Sequence, residues 1–340
     1  MKYCGRLAAL FALLLLPIMQ MAAQATRHLG DGLVLAMPIS ADAANDGAAV
    51  VADFTGSAVH YLGPDGKRRW SLTAKGSGPG DVLRPYRVTL GDNTVWVYDY
   101  SARDVSVFTR AGKFVRRFRP SIALTMVDDI AALGDTLLAM LGTTRHTGFE
   151  NHAIHIFDAG GQHLRSFGEI AFTVDRSRLS TSGTGTLART LQNSLLYVRK
   201  GPFELLDYAA DGTLLQKITP PVKIVAVVDS LTRVVTNSEG REQITSRAAE
   251  IQYPVRAVPL SNGSVLSGIS DRGTMKWWIH ARSSAPVPVT IPRGMSPTTW
   301  NSRTCELLVL TEIEDEPALV ALDVRAVFPQ PNINSLGCKR

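Results

Sequence analysis

A small set of residues in this 340-residue chain has side chains able to do chemistry: seven His, three Cys and a few clustered acids. His146, His152 and His155 stand together in HTGFENHAIH and are ligand types for zinc. A strand through them sends His152 and His155 to opposite faces, because side chains alternate. His146 and His152 remain, and two histidines are too few for a zinc site, so exposed histidines are expected and no metal site. Asp128-Asp129 would open a strand with paired carboxylates, yet calcium takes about six or more oxygens. These two read as solvated loop acids, and Glu312-Ile313-Glu314-Asp315-Glu316 reads as an exposed hairpin turn. No nucleophile elbow, phosphate loop or metalloprotease helix is present. The glycine-rich Gly76-Ser77-Gly78-Pro79-Gly80 opens onto a strand and so lacks the helix N-terminus of a phosphate site. No cofactor is expected.

The cysteines depend on compartment. Lys2 and Arg6 precede the apolar run Leu7 to Met19, and Ala23-Gln24-Ala25 has the small-x-small form of a cleavage site. A helix of that run is about 20 Å long, short of a bilayer core of about 30 Å. Residues 1–25 are therefore expected to be a signal peptide, the alternative being an uncleaved anchor. The mature chain would be periplasmic or secreted, with no stable membrane span. Cys4 leaves with the leader, and Cys305 and Cys338, alone in an oxidising compartment, are expected to pair. Such a bridge contributes about 3–4 kcal/mol in the chain-entropy model.

Loss of Lys2 and Arg6 lowers the formal charge from +6 to +4. Export and a small excess of bases argue against nucleic acid despite a pI near 9.3. The runs Lys67-Arg68-Arg69 and Arg116-Arg117-Phe118-Arg119 suit charged edge strands, which resist sheet-to-sheet pairing. Trp277-Trp278 on one strand should send one ring into the core and the other outward.

These residues must be positioned by a repeat. Four turns carry Gly66, Gly112, Gly161 and Gly212, spaced 46, 49 and 51 residues apart. Each follows a short apolar strand, such as Val105-Ser106-Val107-Phe108. Each precedes a strand ending in a large apolar residue: Trp70, Phe118, Phe167 and Ile218. Periods of 40 to 50 residues holding four strands are what propeller blades require. In the clearest repeat the strands are Tyr86–Leu90, Thr94–Tyr100, Asp104–Thr109 and Lys113–Phe118. The fold expected is all-β: one β-propeller of four-stranded antiparallel blades over residues 26–328, six in number, with seven as the alternative. Gly32 to Met37 would complete the last blade, residues 220–254 form the largest insertion with a short helix at Glu239–Glu250, and 329–340 are a tail.

One blade carries a resemblance. Gly76 to Pro85, Val95-Trp96-Val97-Tyr98-Asp99, Arg103 to Phe108 and Phe114-Val115-Arg116-Arg117-Phe118 resemble a blade of the NHL-type six-bladed propellers. The resemblance covers Lys75 to Phe118; other blades share only the turn and outer strands. It implies a six-bladed ring in a group that mostly binds ligands or proteins. Some members are enzymes with metal in the central tunnel, including amidating lyases and lactonases.

Strand direction then separates two faces. The long segments (Gly76 to Pro85, Gly142 to Asn151, Glu169 to Gly183, Pro220 to Pro254) fall on the end holding the blade crossovers and the second-to-third strand loops. Insertions gathered on one end of a repeat fold mark its binding face. The candidate residues there are Arg84, Tyr86, Asp128, Asp129, Arg189 and Trp300. The reading is an exported binding or interaction module for a protein or small-molecule ligand, more binder than enzyme. The alternative is a propeller hydrolase or lyase with a metal-assisted site in the tunnel.

Overall fold

The glycine turns close four-stranded blades. The computed structural model describes residues 26–30, 32–73, 76, 78–170, 185–199, 203–220, 228–236, 242–250, 252–271, 273–281, 285–328, 333–334, 336 and 338. The leader and most of 169–183 therefore lie outside the described residues, as does much of the tail. The chain divides into two units.

The first unit comprises 1–119, 260–262 and 289–340. One of its sheets contains β2 (Pro38–Ala43), β3 (Ala49–Asp53), β4 (Ala58–Leu62) and β5 (Arg68–Leu72). The next contains β6 (Pro85–Leu90), β7 (Thr94–Asp99), β8 (Asp104–Thr109) and β9 (Phe114–Phe118). In the second unit one sheet is β10 (Leu124–Leu133), β11 (Leu137–Thr144), β12 (His152–Asp158) and β13 (His163–Glu169). Another is β14 (Gly185–Arg189), β15 (Leu195–Arg199), β16 (Glu204–Tyr208) and β17 (Leu214–Ile218). After the hairpin β18 (Val228–Thr236) and β19 (Glu242–Glu250) comes the sheet β20 (Gln252–Pro259), β21 (Val265–Asp271), β22 (Thr274–His280) and β23 (Val287–Val289). The last sheet, in the first unit, joins β24 (Ser296–Asn301), β25 (Glu306–Ile313) and β26 (Glu316–Asp323) to β1 (Thr26–His28). These are the six antiparallel blades of a β-propeller.

Two elements differ from expectation. The last blade is completed by β1, with Thr26 opposite Leu322 and His28 opposite Val320, and not by Gly32 to Met37. Gly30 and Gly32 adopt positive φ and turn the chain away, and Leu33 donates to the Gly30 carbonyl at 2.7 Å. Of the stretch Glu239–Glu250 expected as a short helix, the described residues Glu242–Glu250 are the strand β19, which pairs with β18 through nine residues. The Val- and Thr-rich β18 offers a full-length ladder, which outweighs the helix preference of Ala248-Ala249-Glu250. Of the run 312–316 expected as a hairpin turn, only Glu314 and Asp315 form it, both at positive φ, while Glu312-Ile313 and Glu316 pair within β25 and β26.

The core forms between blades. Along β3, Val50 and Ala52 pack with Val88, Leu90, Val97 and Phe108 of the next blade. The alternate residues Ala49 and Val51 pack with Leu308, Leu319 and Ala321 of the previous one. A strand buried on both faces reads as the continuous apolar run AVVA, each Val contributing about 1.5–3 kcal/mol. The glycine turns serve this packing. A Cβ on Gly112 would stand 3.0 Å from the Trp70 ring, and one on Gly212 would stand 2.9 Å from Phe167. Trp70 and Phe167, at the ends of their outer strands, thus cover the turn of the following blade. Trp70 Nε1 also donates to the Arg110 carbonyl at 2.8 Å.

Inner strands expose a sheet edge whose N–H groups need partners. Buried or half-buried side chains of the neighbouring blade supply them. Ser40 Oγ accepts from Val88 N at 3.2 Å, and Asp42 accepts from Leu90 N at 2.8 Å. In the second unit Asp129 accepts from Leu187 N at 3.0 Å.

Candidate functional site

The second strands β3 and β7 both end in aspartate followed by an aromatic residue: Asp53-Phe54 and Asp99-Tyr100. Both carboxylates are buried and fully engaged. Asp53 accepts from the backbone N–H groups of Ala36, Met37 and Gly56 at 2.8–3.0 Å. Asp99 accepts from Leu83 and Arg84 through one oxygen, and from Ser101 and Ala102 through the other. Each aspartate therefore ties its own second-to-third strand loop to the segment entering the inner strand. Charge-assisted bonds of this kind are about twice as strong as neutral ones.

The loops so fixed present an aromatic surface. Phe54 lies 5.9 Å from Tyr86 and 6.2 Å from Tyr100, and Tyr86 lies 5.5 Å from Tyr100, all edge-on or tilted. Tyr100 is 52% exposed and Met37 is 44% exposed. The Arg84 guanidinium sits 5.7 Å from the Phe54 ring, and Arg87 sits 4.0 Å from Tyr86. Arg84 is exposed and has no ion-pair partner among the described residues. Arg103 is exposed in the same loop, and Arg119 donates to the Ala102 carbonyl at 3.0 Å.

Of the candidates drawn from the sequence, Arg84 and Tyr86 meet on this surface. Trp300, in the same unit, is buried near the opposite end of its inner strand, opposite Leu307. In the second unit Arg189 likewise ends β14, opposite Leu195. Asp128 is half-buried at a bulge of β10. Asp129 is not a solvated loop acid: it is buried at that bulge, bonded to Leu187 N, with Arg256 at 3.8 Å. Phe54 and Tyr100 escaped the sequence reading. The offset that aligns Gly66 with Gly112 also aligns Asp53-Phe54 with Asp99-Tyr100, and that was the available signal.

The histidines went elsewhere. His155 is fully buried, its Nδ1 2.7 Å from Ser166 Oγ and its Nε2 3.3 Å from the Gly142 carbonyl. A carbonyl only accepts, so Nε2 carries the proton and Ser166 donates to Nδ1. His163 Nε2 then donates to the same hydroxyl at 2.8 Å. A serine between two imidazoles has the parts of a nucleophile and base. Burial, however, drives His155 down to about 4, too weak a base for neutral pH, and His155 has no carboxylate orienting it. His146 is exposed on the loop and His152 half-buried. His60 bonds Ser71 at 2.7 Å, and buried His280 bonds Ser267 at 2.6 Å. Among the described residues no group of three or more His, Cys, Asp or Glu is placed to hold a metal.

The basic runs are partly inward. Arg117 donates to Ser106 at 2.9 Å and to the Asp81 carbonyl, tying the glycine-rich crossover to its own blade. Arg116 covers Trp96, while Arg68 and Arg69 are exposed. Both tryptophans of the Trp277-Trp278 pair are used in packing. Trp277 is buried over Gly268, and Trp278 packs on the Leu196–Leu205 cluster. Cys305 and Cys338 form a disulfide with Cα atoms 5.8 Å apart.

No protein-family model and no functionally curated protein matches the sequence. Solved structures do match in fold. One is a putative exported protein of Bacteroides fragilis, at 10% identity and TM-score 0.57, over 88% of this chain and 95% of that one. Another is hydrazine synthase of Kuenenia stuttgartiensis, at 12% identity and TM-score 0.51, over 88% and 98%. The WD40 repeats of RRP9 match at 10% identity and TM-score 0.53, over 89% and 98%. The likeness is one of fold alone: the β-propeller.

Proposed function

We propose that this chain is an exported, NHL-like propeller that acts as a binding or protein-interaction module through the crossover and second-to-third loop end of its blades. The observation carrying this reading is the half-exposed aromatic and arginine surface on loops held by buried Asp53 and Asp99. Fixing such groups before binding removes part of the ordering cost of association. Export is supported by the leader pattern and by the Cys305–Cys338 bridge. Cleavage after Ala25 would leave Thr26, the first residue of β1, at the N-terminus of a complete last blade.

Photo-crosslinking in the native envelope tests the reading. A benzoylphenylalanine at exposed Thr55 or Ser101 should give discrete adducts, and one at exposed Asp65 or Ala111, on the glycine turns, should not. Adducts confined to the glycine turns, or none at Thr55 and Ser101, would overturn it.

A further inference from the structure

We infer that the partner recognised at this surface is an acidic protein segment bearing an aromatic or apolar anchor. The inference rests on the binding-module reading and gives its site a ligand chemistry.

Charge decides the first half. The carboxylates beneath the surface, Asp53 and Asp99, are buried and spend their oxygens on backbone N–H groups. Asp104 is drawn into Arg117 at 3.6 Å. Arg84, exposed, lies 5.7 Å from the Phe54 ring, while Arg103 is exposed in the loop that carries Tyr100 and Arg119 donates to the Ala102 carbonyl of that loop. An acidic segment would meet Arg84, which has no ion-pair partner among the described residues and whose planar fork suits carboxylates.

The rings decide the second half. Phe54, Tyr86 and Tyr100 pack against one another at interplanar angles of 68°, 71° and 53°. Bases stack on flat, open ring faces, and rings locked edge-to-face offer few of them. Tyr100, 52% exposed, gives an apolar wall with a polar tip. Tyrosine and arginine are the residues that concentrate energy at protein interfaces, around an apolar anchor rimmed by charge.

The test uses the mature, disulfide-intact chain and three labelled peptides followed by fluorescence anisotropy: Glu-Glu-Phe repeats, Lys-Lys-Phe repeats and Glu alone. The Glu-Glu-Phe peptide should bind, weaken as salt rises, and lose about tenfold or more with either Tyr100→Ala or Arg84→Glu. Both side chains are solvent-exposed, so unchanged circular dichroism and melting temperature would verify folding. Equal binding of the Lys-Lys-Phe peptide, equal binding of Glu alone, or wild-type affinity in both variants would overturn the inference. So would binding to phosphatidylglycerol vesicles with none to the peptide. If Thr55 and Ser101 crosslink while the peptide fails, this inference falls and the binding-module reading stands. If neither occurs, both fall.

Discussion

The His155–Ser166–His163 network and the Phe54–Tyr86–Tyr100 surface invert what their residue types suggest. The histidines look like chemistry and act as structure. His155 is fully enclosed, each ring nitrogen has a partner, and burial removes its basicity. Phe54 and Tyr100 look like core, yet Tyr100 is 52% exposed and Phe54 half-buried, because the aspartate before each holds its loop outward. In a fold whose strands are packed on both faces, polar side chains inside blades go to satisfying backbone groups. Recognition is left to residues just past the strand ends.

The contrast gives a graded series of tests. The largest effect is expected from His155→Ala, which empties a buried site and strips partners from Ser166 and Gly142. Chemical denaturation should show a loss of about 3–4 kcal/mol, with peptide affinity unchanged. Acid should act on the same region. Above 6.5, His155 and His280 are neutral whether folded or unfolded; between 6.5 and about 4 only the unfolded chain takes up their protons. Stability should therefore fall as pH falls through that window, by up to about 3 kcal/mol for each group. Replacing either histidine by Gln should flatten the acid limb in a pH series of melting curves. Asp99→Asn should cost about 2 kcal/mol and also weaken peptide binding, since it loosens the loop that carries Tyr100. The smallest stability change, within about 0.5 kcal/mol, belongs to Tyr100→Ala, and its effect should appear in affinity alone.

Legibility in the sequence followed local pattern. The blade over 85–118 was readable to within a residue at each strand end, because its strands are short apolar or alternating runs and two of its three turns carry a glycine, Gly91 and Gly112. The three-residue β1 is too short to show a period, and it gains its stability from β26, about 300 residues away in sequence. β19 has helix-forming composition and becomes a strand only because β18 lies opposite it. At the site, Arg84 and Tyr86 were visible as polar residues entering an inner strand. Phe54 and Tyr100 read as ordinary apolar residues, since their exposure depends on hydrogen bonds that Asp53 and Asp99 make across 15 to 17 residues.

The most direct measurement compares Glu-Glu-Phe peptide affinity in Tyr100→Ala and Ser166→Ala. Ser166→Ala removes the hydroxyl between the two histidines. If the aromatic surface binds and the histidine network only supports the blade, Tyr100→Ala loses about tenfold or more in affinity at unchanged melting temperature. Ser166→Ala then melts earlier and binds as wild type. Weakened binding in Ser166→Ala with full affinity in Tyr100→Ala would contradict it.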